Sequence, residues 1–242
     1  MRTLVFDIET IGEEWSALDE TTQHMLTRWI DRTAKSDEEH TAQLADLQDG
    51  LGFSPLTGSI VAIGLYDLEQ EKGVVYYRTD DTLADDLAEG AVLLKVRSEK
   101  QMLEDFWAGA KAYDAFVTFN GRGFDVPFLL LRSAILGVKP TRDLMDGRYL
   151  YQQKGAKHID LADQLSFYGA VFKKASLHLY CRAFGIESPK AAGVTGDDVS
   201  ALFREGKYET IARYNVRDII ATTELYKKWQ TYLSPSAFRN FD

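Results

Sequence analysis

The stretch Thr3-Leu4-Val5-Phe6-Asp7-Ile8-Glu9-Thr10 reads as a buried strand that carries two acids, at alternate positions, where a strand should carry hydrocarbon. Period two marks a β-strand with Leu4, Phe6 and Ile8 on one face and Asp7 and Glu9 on the other. Two carboxylates on one strand face repel each other unless something positive lies between them, and a divalent cation is the usual partner. A solvated edge strand with its polar face outward is the other reading of the same pattern.

From Gly12 to Gly58 the chain makes a long excursion. Met25, Leu26, Trp29 and Ile30 share one face of a predicted helix, and Leu44, Leu47 and Leu51 form the stripe of a second. Residues 34–39 are a polar break between them. A helical insertion over 13–57, beside a candidate site, acts as a lid or substrate wall, or is a plain surface hairpin of helices. Strands follow at 59–66 and 73–78, joined as a hairpin by a turn at 69–73. The acidic segment 80–89 reads as loop or frayed helix, and 92–96 as a short strand or loop. Helical spacing at Met102, Leu103, Phe106, Trp107 and Ala110 predicts a helix over 98–113 with Ser98 or Glu99 at its start. A strand at 115–119 ends in Asn120-Gly121, and a helix is predicted over 127–136 with Pro127 at its first position. The second half is mainly helical, at 161–168, 176–184, 198–204 and 208–232, with a loop of small residues at 188–196. A three-stranded meander, then helix–strand–helix, then helices, predicts an α/β domain with a mixed sheet flanked by helices.

Composition narrows this. The 242 residues are 45% hydrophobic and 12% aromatic, enough for a sizeable core in a single domain over 1–242. Cys181 has no partner for an intrachain disulfide. With a strand starting at once and no signal-peptide pattern, the cytoplasm is the expected compartment. No apolar run reaches membrane-spanning length, so no membrane partner is expected. The formal charge of -9 argues against a broad grip on a polyanion. Cations held by carboxylates would offset part of that charge, so any contact with nucleic acid must be local, weak or metal-mediated.

Three segments carry the candidate chemistry: Asp7-Ile8-Glu9, then Asn120-Gly121-Arg122-Gly123-Phe124-Asp125-Val126-Pro127, then Tyr214-Asn215-Val216-Arg217-Asp218. Alone, Asp125 reads as a helix N-cap. Tyr214 and Asp218, four apart on one helix face, read alone as a half-buried tyrosine and an exposed acid. Together the segments resemble the metal-dependent 3′–5′ exonucleases with four acidic residues, in the branch that carries a tyrosine (the DEDDy type). In the sibling branch a histidine stands five residues before the last Asp; here that residue is Arg213. More narrowly, the chain is similar to the stand-alone exonucleases related to the proofreading domain of family B DNA polymerases. Segments 58–64, 158–161 and Pro189-Lys190 belong to the resemblance, which runs from Thr3 to about Leu233. The length leaves no room for a polymerase.

The resemblance implies a ribonuclease H-like fold, with a five-stranded mixed sheet and Asp7 and Glu9 on its central strand. It implies hydrolysis of a single-stranded DNA or RNA 3′ end to nucleoside 5′-monophosphates with two Mg²⁺ or Mn²⁺ ions. Asp7, Glu9 and Asp218 would hold the first ion. Asp7 would bridge to the second, with Asp125 binding it directly or through water. Tyr214 would orient the attacking water, since a phenol with an ordinary pKa near 10 is a poor base at neutral pH. Asn120 would contact the terminal nucleotide or brace the site. Lys190 could meet a phosphate, and a solvated lysine is its other reading. Phe124, Phe128 and Trp29 could stack on bases, with core burial the alternative for the two phenylalanines. Asp160 reads as an N-cap or a substrate wall, and Cys181 as a buried small residue. His178 lacks the spacing of a triad or zinc site. Two rivals remain: a two-metal endonuclease or small-nucleotide hydrolase on the same fold, and a non-catalytic nucleic-acid-binding module. The module would be expected to lack a ligand, and all four acids are present here.

Overall fold

In the computed structural model, residues 1–80, 86–171, 175–193 and 195–238 are described. Strand β1 is Thr3–Gly12, β2 Gly58–Asp67, β3 Lys72–Tyr77, β4 Leu87–Glu89, β5 Val92–Val96, β6 Ala115–Thr118 and β7 Lys157–Asp160. They form a seven-stranded sheet in the order β4-β5-β3-β2-β1-β6-β7. The mixed sheet flanked by helices is as expected, but with seven strands rather than five. One addition, β7, falls where a turn into a helix was predicted. Its sequence Lys-His-Ile-Asp carries little strand signal, and it is a strand because it pairs in parallel with β6, Ala115 opposite Lys157 through Thr118 opposite Asp160. The other, β4, closes the acidic segment read as loop or frayed helix; residues 81–85 of that segment lie outside the described residues. The leading meander is present, with β1–β2 and β2–β3 both antiparallel. β1 is an interior strand, although β2 stands at the middle of the seven.

Helices cover both faces. α4 (Glu99–Ala110) starts from Ser98, whose side chain and that of Gln101 cap each other's backbone N–H groups. With α5 (Asp125–Ile135) it buries Met102, Phe106, Trp107, Val126, Phe128 and Leu129 against Leu4, Phe6 and Ile8. On the opposite face, α9 (Tyr208–Tyr232) lays Ile211, Tyr214, Ile219, Leu225 and Trp229 over Val5, Val61, Ala62 and Val117. β1 is therefore covered on both sides. Its two acids face a helix, which rules out the solvated edge strand.

The excursion folds as α1 (Glu20–Thr27), α2 (Ile30–Thr33), α3 (Asp37–Asp49) and a 3-10 turn at Gly50–Phe53. The predicted first stripe is broken between α1 and α2, so Ile30 is buried while Met25 stays 66% and Trp29 49% exposed. α6 (Leu161–Leu165) is shorter than predicted, because Phe167 and Tyr168 adopt left-handed backbone at φ 50° and 57° and end it. α7 (Leu177–Phe184) and α8 (Val199–Arg204) lead into α9. Among the described residues, no helix is long and apolar enough to cross a membrane.

Candidate metal centre

Where β6 stops, a gap opens beside β1. β6 pairs with β1 only from Thr3 to Val5, so the next backbone donors on that side need other partners. The Ile8 N–H is satisfied by a side chain: it donates to Asp125 Oδ1 at 3.1 Å. Asp125 thus stands in for the missing strand carbonyl. It is the first residue of α5 and only 3% exposed. The N-cap reading is corrected: Phe124 holds the cap position without a side-chain hydrogen bond, and the Asp125 carboxylate crosses to β1 instead. Pro127 is third in the helix rather than first, still within the turn whose N–H groups lack intrahelical acceptors.

The tight turn that delivers Asp125 is tied down by Asp160 at the end of β7. Its carboxylate accepts the N–H groups of Asn120 (2.8 Å), Arg122 (2.9 Å) and Ala162 (3.0 Å). The last of these is the N-cap expected for α6; the other two hold the turn. Asn120 sits at φ 64°, a conformation asparagine tolerates better than most residues. Gly121 is required by space, since a Cβ there would fall 2.3 Å from Thr118 Oγ1. Beneath the turn, His158 is buried between the Thr118 hydroxyl and the Leu144 carbonyl, each at 2.9 Å. Burial pushes its pKa down to about 4, so it is a neutral packing residue.

On the other side of the gap, α9 presents Tyr214 and Asp218 one turn apart. Both are buried, Asp218 at 8% exposure, against the exposed acid that the isolated motif suggested. One carboxylate oxygen from each of Asp7, Glu9 and Asp218 lies within 4.8 Å of the others. Asp125 is near enough for its charge to act on Asp7. A register shift between Glu9 and Thr10 re-aims β1 just beyond the pair.

The carboxylates resist ionisation. Burial, then the charges of Asp125, Asp218 and Glu9, raise Asp7 well above the usual carboxylate range, opposed by a hydrogen bond from Asn215. Glu9 is raised in the same way by burial and then by Asp218. Burial also pushes Asp125 and Asp218 up to about 7. The Tyr214 hydroxyl hydrogen-bonds Asp218 and eases its ionisation, as do the charges of Arg217 and Lys190. Tyr214 is itself driven far above the ordinary phenol value, by burial first and then by Asp218, Glu9 and Asp7. An all-oxygen set of crowded acids that cannot comfortably be charged suits a hard divalent cation.

The weaker candidates are spread around this centre. Lys190 is exposed, on a 3-10 turn (Pro189–Ala192) that Arg217 anchors through the Pro189 carbonyl at 3.3 Å. Phe124 is half-buried, packed on the buried Phe128 and on the 60% exposed Phe53 of the excursion, with ring centroids 5.4 and 6.4 Å away. Asn120 is exposed and lines a cleft of about 340 Å³ with Arg122, Gly123, Arg148, Asp160 and Tyr180. That cleft abuts the turn before Asp125 rather than the carboxylates. Trp29 lines a separate apolar groove within the excursion, beside Met25 and Leu56. Cys181 is buried, as read, and His178 pairs with Ser188 on the surface. Two residues at the centre were not singled out by sequence reasoning. Asn215 sits inside the quoted motif and touches both Asp7 and Glu9. Gly64 lies opposite Asp7 on β2, and a glycine inside an otherwise apolar strand is the signal that could have flagged it.

Comparisons with known proteins bear on the family and the fold. Residues 61–237 match a family described as "Predicted 3'-5' exonuclease related to the exonuclease domain of PolB". A DNA polymerase of Desulfurococcus sp. (strain Tok) is 30% identical over 150 residues, which cover 55% of this chain and 18% of the polymerase. DNA polymerase 1 of Saccharolobus solfataricus is 24% identical over 233 residues, covering 90% of this chain and 26% of the polymerase. The chain thus spans about a quarter or less of these relatives. The structure of the family B DNA polymerase from Pyrobaculum calidifontis superposes with a TM-score of 0.55 over 96% of this chain and 25% of the polymerase, at 21% identity. The fold is that of a family B polymerase exonuclease domain, ribonuclease H-like. The chain belongs to the family of predicted 3′–5′ exonucleases related to the exonuclease domain of the family B polymerases.

Proposed function

We propose that this protein is a metal-dependent 3′–5′ exonuclease that hydrolyses single-stranded nucleic acid ends to nucleoside 5′-monophosphates, with Mg²⁺ or Mn²⁺ as its ions. The observation that carries the reading is the meeting of Asp7, Glu9 and Asp218 within 4.8 Å, with Asp125 braced beside them. The polarity and product are taken from the family. Asp7, Glu9 and Asp218 would hold one cation, and Asp7 with Asp125 a second. Bound divalent cations would polarise the phosphoryl oxygen and supply a hydroxide-like water at neutral pH.

The chain's own residues do the rest. Tyr214 keeps its proton across the working pH range, so its hydroxyl orients the attacking water and does not deprotonate it. Lys190 and Arg217 bring positive charge to the Asp218 side, where a scissile phosphate would need it. Asn120 at the mouth of the turn contacts the terminal nucleotide, and Phe124 with Phe53 offers a stacking surface. Residues 1–242 act as one catalytic domain, and the 13–57 insertion forms a substrate wall. Support for the wall comes from the Thr10 hydroxyl donating to the Gly52 carbonyl at 2.7 Å, just past the acids.

Digestion of 5′-labelled single-stranded DNA and RNA tests the reading. The expected product is a ladder shortening one nucleotide at a time, dependent on Mg²⁺ or Mn²⁺ and lost in Asp7→Ala. Internal cuts would point to an endonuclease instead. Full activity in Asp7→Ala would overturn the mechanism.

A further inference from the structure

Asp7 and Glu9 share one side-chain donor. Asn215 Nδ2 lies 2.8 Å from Asp7 Oδ2 and 3.4 Å from Glu9 Oε1. The two N–H bonds of one amide can point at two acceptors, so a single NH₂ group spans the pair. The arrangement is costly elsewhere. Asn215 is fully buried, and its Oδ1 has no hydrogen-bond partner among the described residues. Buried polar atoms are rarely left in that state.

The strand opposite makes room for it. Gly64 faces Asp7 across the β1–β2 ladder. A Cβ at Gly64 would lie 2.1 Å from Asn215 Oδ1 and 2.9 Å from Ile219 Cγ2. Helix α9 therefore approaches the sheet more closely here than any side chain on β2 would allow. A glycine in a buried strand and an unpaired carbonyl are both unfavourable for stability alone. Their common result is one amide donor placed between two repelling acids.

We propose that Asn215 is the positioning residue of the metal centre: its amide fixes the orientation and separation of Asp7 and Glu9 for cation uptake, and Gly64 is the space that admits it. The inference rests on the metal-dependent reading above. Without the donor, the two carboxylates turn away from each other and must be reassembled each time a cation binds. An Asp at the same position would add a further negative charge rather than a bridge. Hydrogen bonds that orient metal ligands typically contribute about 10- to 100-fold in affinity.

Mn²⁺ titration followed by electron paramagnetic resonance, on the full chain stripped with chelator, reads this without turnover. Asn215→Leu keeps the branched shape and removes the unpaired oxygen. It is expected to unfold in EDTA at or above the wild-type temperature, yet to bind Mn²⁺ about 10- to 100-fold more weakly. Asn215→Ala should lose affinity to a similar degree. Gly64→Ala, whose methyl displaces the amide, should also weaken Mn²⁺ binding, and the Gly64→Ala/Asn215→Ala double variant should be no weaker than the worse single one. Wild-type Mn²⁺ affinity in the Asn215 variants would overturn the assignment, and so would additive losses in the double variant. A wild-type protein that binds Mn²⁺ no better than Asp7→Asn would remove the metal reading itself, and with it this inference.

Discussion

At the scale of single residues, the centre is a cluster of acids whose charged forms the fold disfavours. Asp125 and Asp218 rise from an ordinary value of 3.8 to about 7. A carboxyl group whose pKa is higher in the folded state binds its proton more tightly there. Its contribution is most favourable below pH 4 and is lost as pH rises toward 7. Without metal, the protein should therefore lose stability between pH 4 and 7 at this site. Asp218→Asn should lessen that loss and raise the melting temperature in EDTA at pH 7.5, by about 2–4 °C for each kcal/mol recovered. Calorimetry of both proteins at pH 5 and pH 7.5 checks this, and an equal drop in the two would contradict it. Divalent cation should reverse the loss in the wild type. Tyr214→Phe keeps the ring against Arg217, whose guanidinium carbon is 5.8 Å from its centroid, and removes only the hydroxyl. Through loss of the attacking water's positioning, turnover should fall about 100-fold with little change in melting temperature, as steady-state kinetics beside thermal unfolding would show.

At the scale of elements, the site depends on how strands end. Asp125 reaches β1 because β6 stops early, and the turn before it is held by one carboxylate that takes two of its N–H groups and caps α6 with a third. Asp160→Ala should strand those donors, cost about 1–3 kcal/mol in chemical denaturation and lower nuclease activity by letting Asp125 drift. Ser98→Ala is the control. It removes the α4 cap, an exchange with Gln101 and not with the acids, at a cost of about 1 kcal/mol, and should leave the activity at wild-type level. Much of this level was legible in the chain. Helix α9 lies over 208–232 as its periodicity predicts, and the motif acids fall on the elements assigned to them. What was not legible depended on pairing. Lys157–Asp160 has no alternation of its own and becomes a strand only because β6 lies beside it. Asp125 has the local grammar of an N-cap, and only the unsatisfied Ile8 N–H, far away in sequence, draws its carboxylate elsewhere. Asn215 does not stand out between Tyr214 and Asp218, because nothing local reveals that a glycine on β2 leaves room for it.

At the scale of the whole molecule, the formal charge of -9 sets how a nucleic acid can be held. Proteins that make six to ten phosphate contacts lose about 10³- to 10⁵-fold in affinity between 50 and 200 mM salt. An acidic chain that grips chiefly through a few residues at one centre should lose less than about tenfold over that range. Fluorescence anisotropy with a labelled oligonucleotide in Ca²⁺ would measure it, and a steep slope would reveal a basic track that the charge does not suggest. The acids Asp7 and Asp218 lie far apart in sequence, on opposite sides of one crowded pocket, and α9 supplies both the second of them and the cover for one face of the sheet. A nascent chain that has not yet made α9 has no closed pocket and carries an open apolar sheet face. Closure of the acid cluster and completion of the core therefore arrive together, set by the order in which the polypeptide is made.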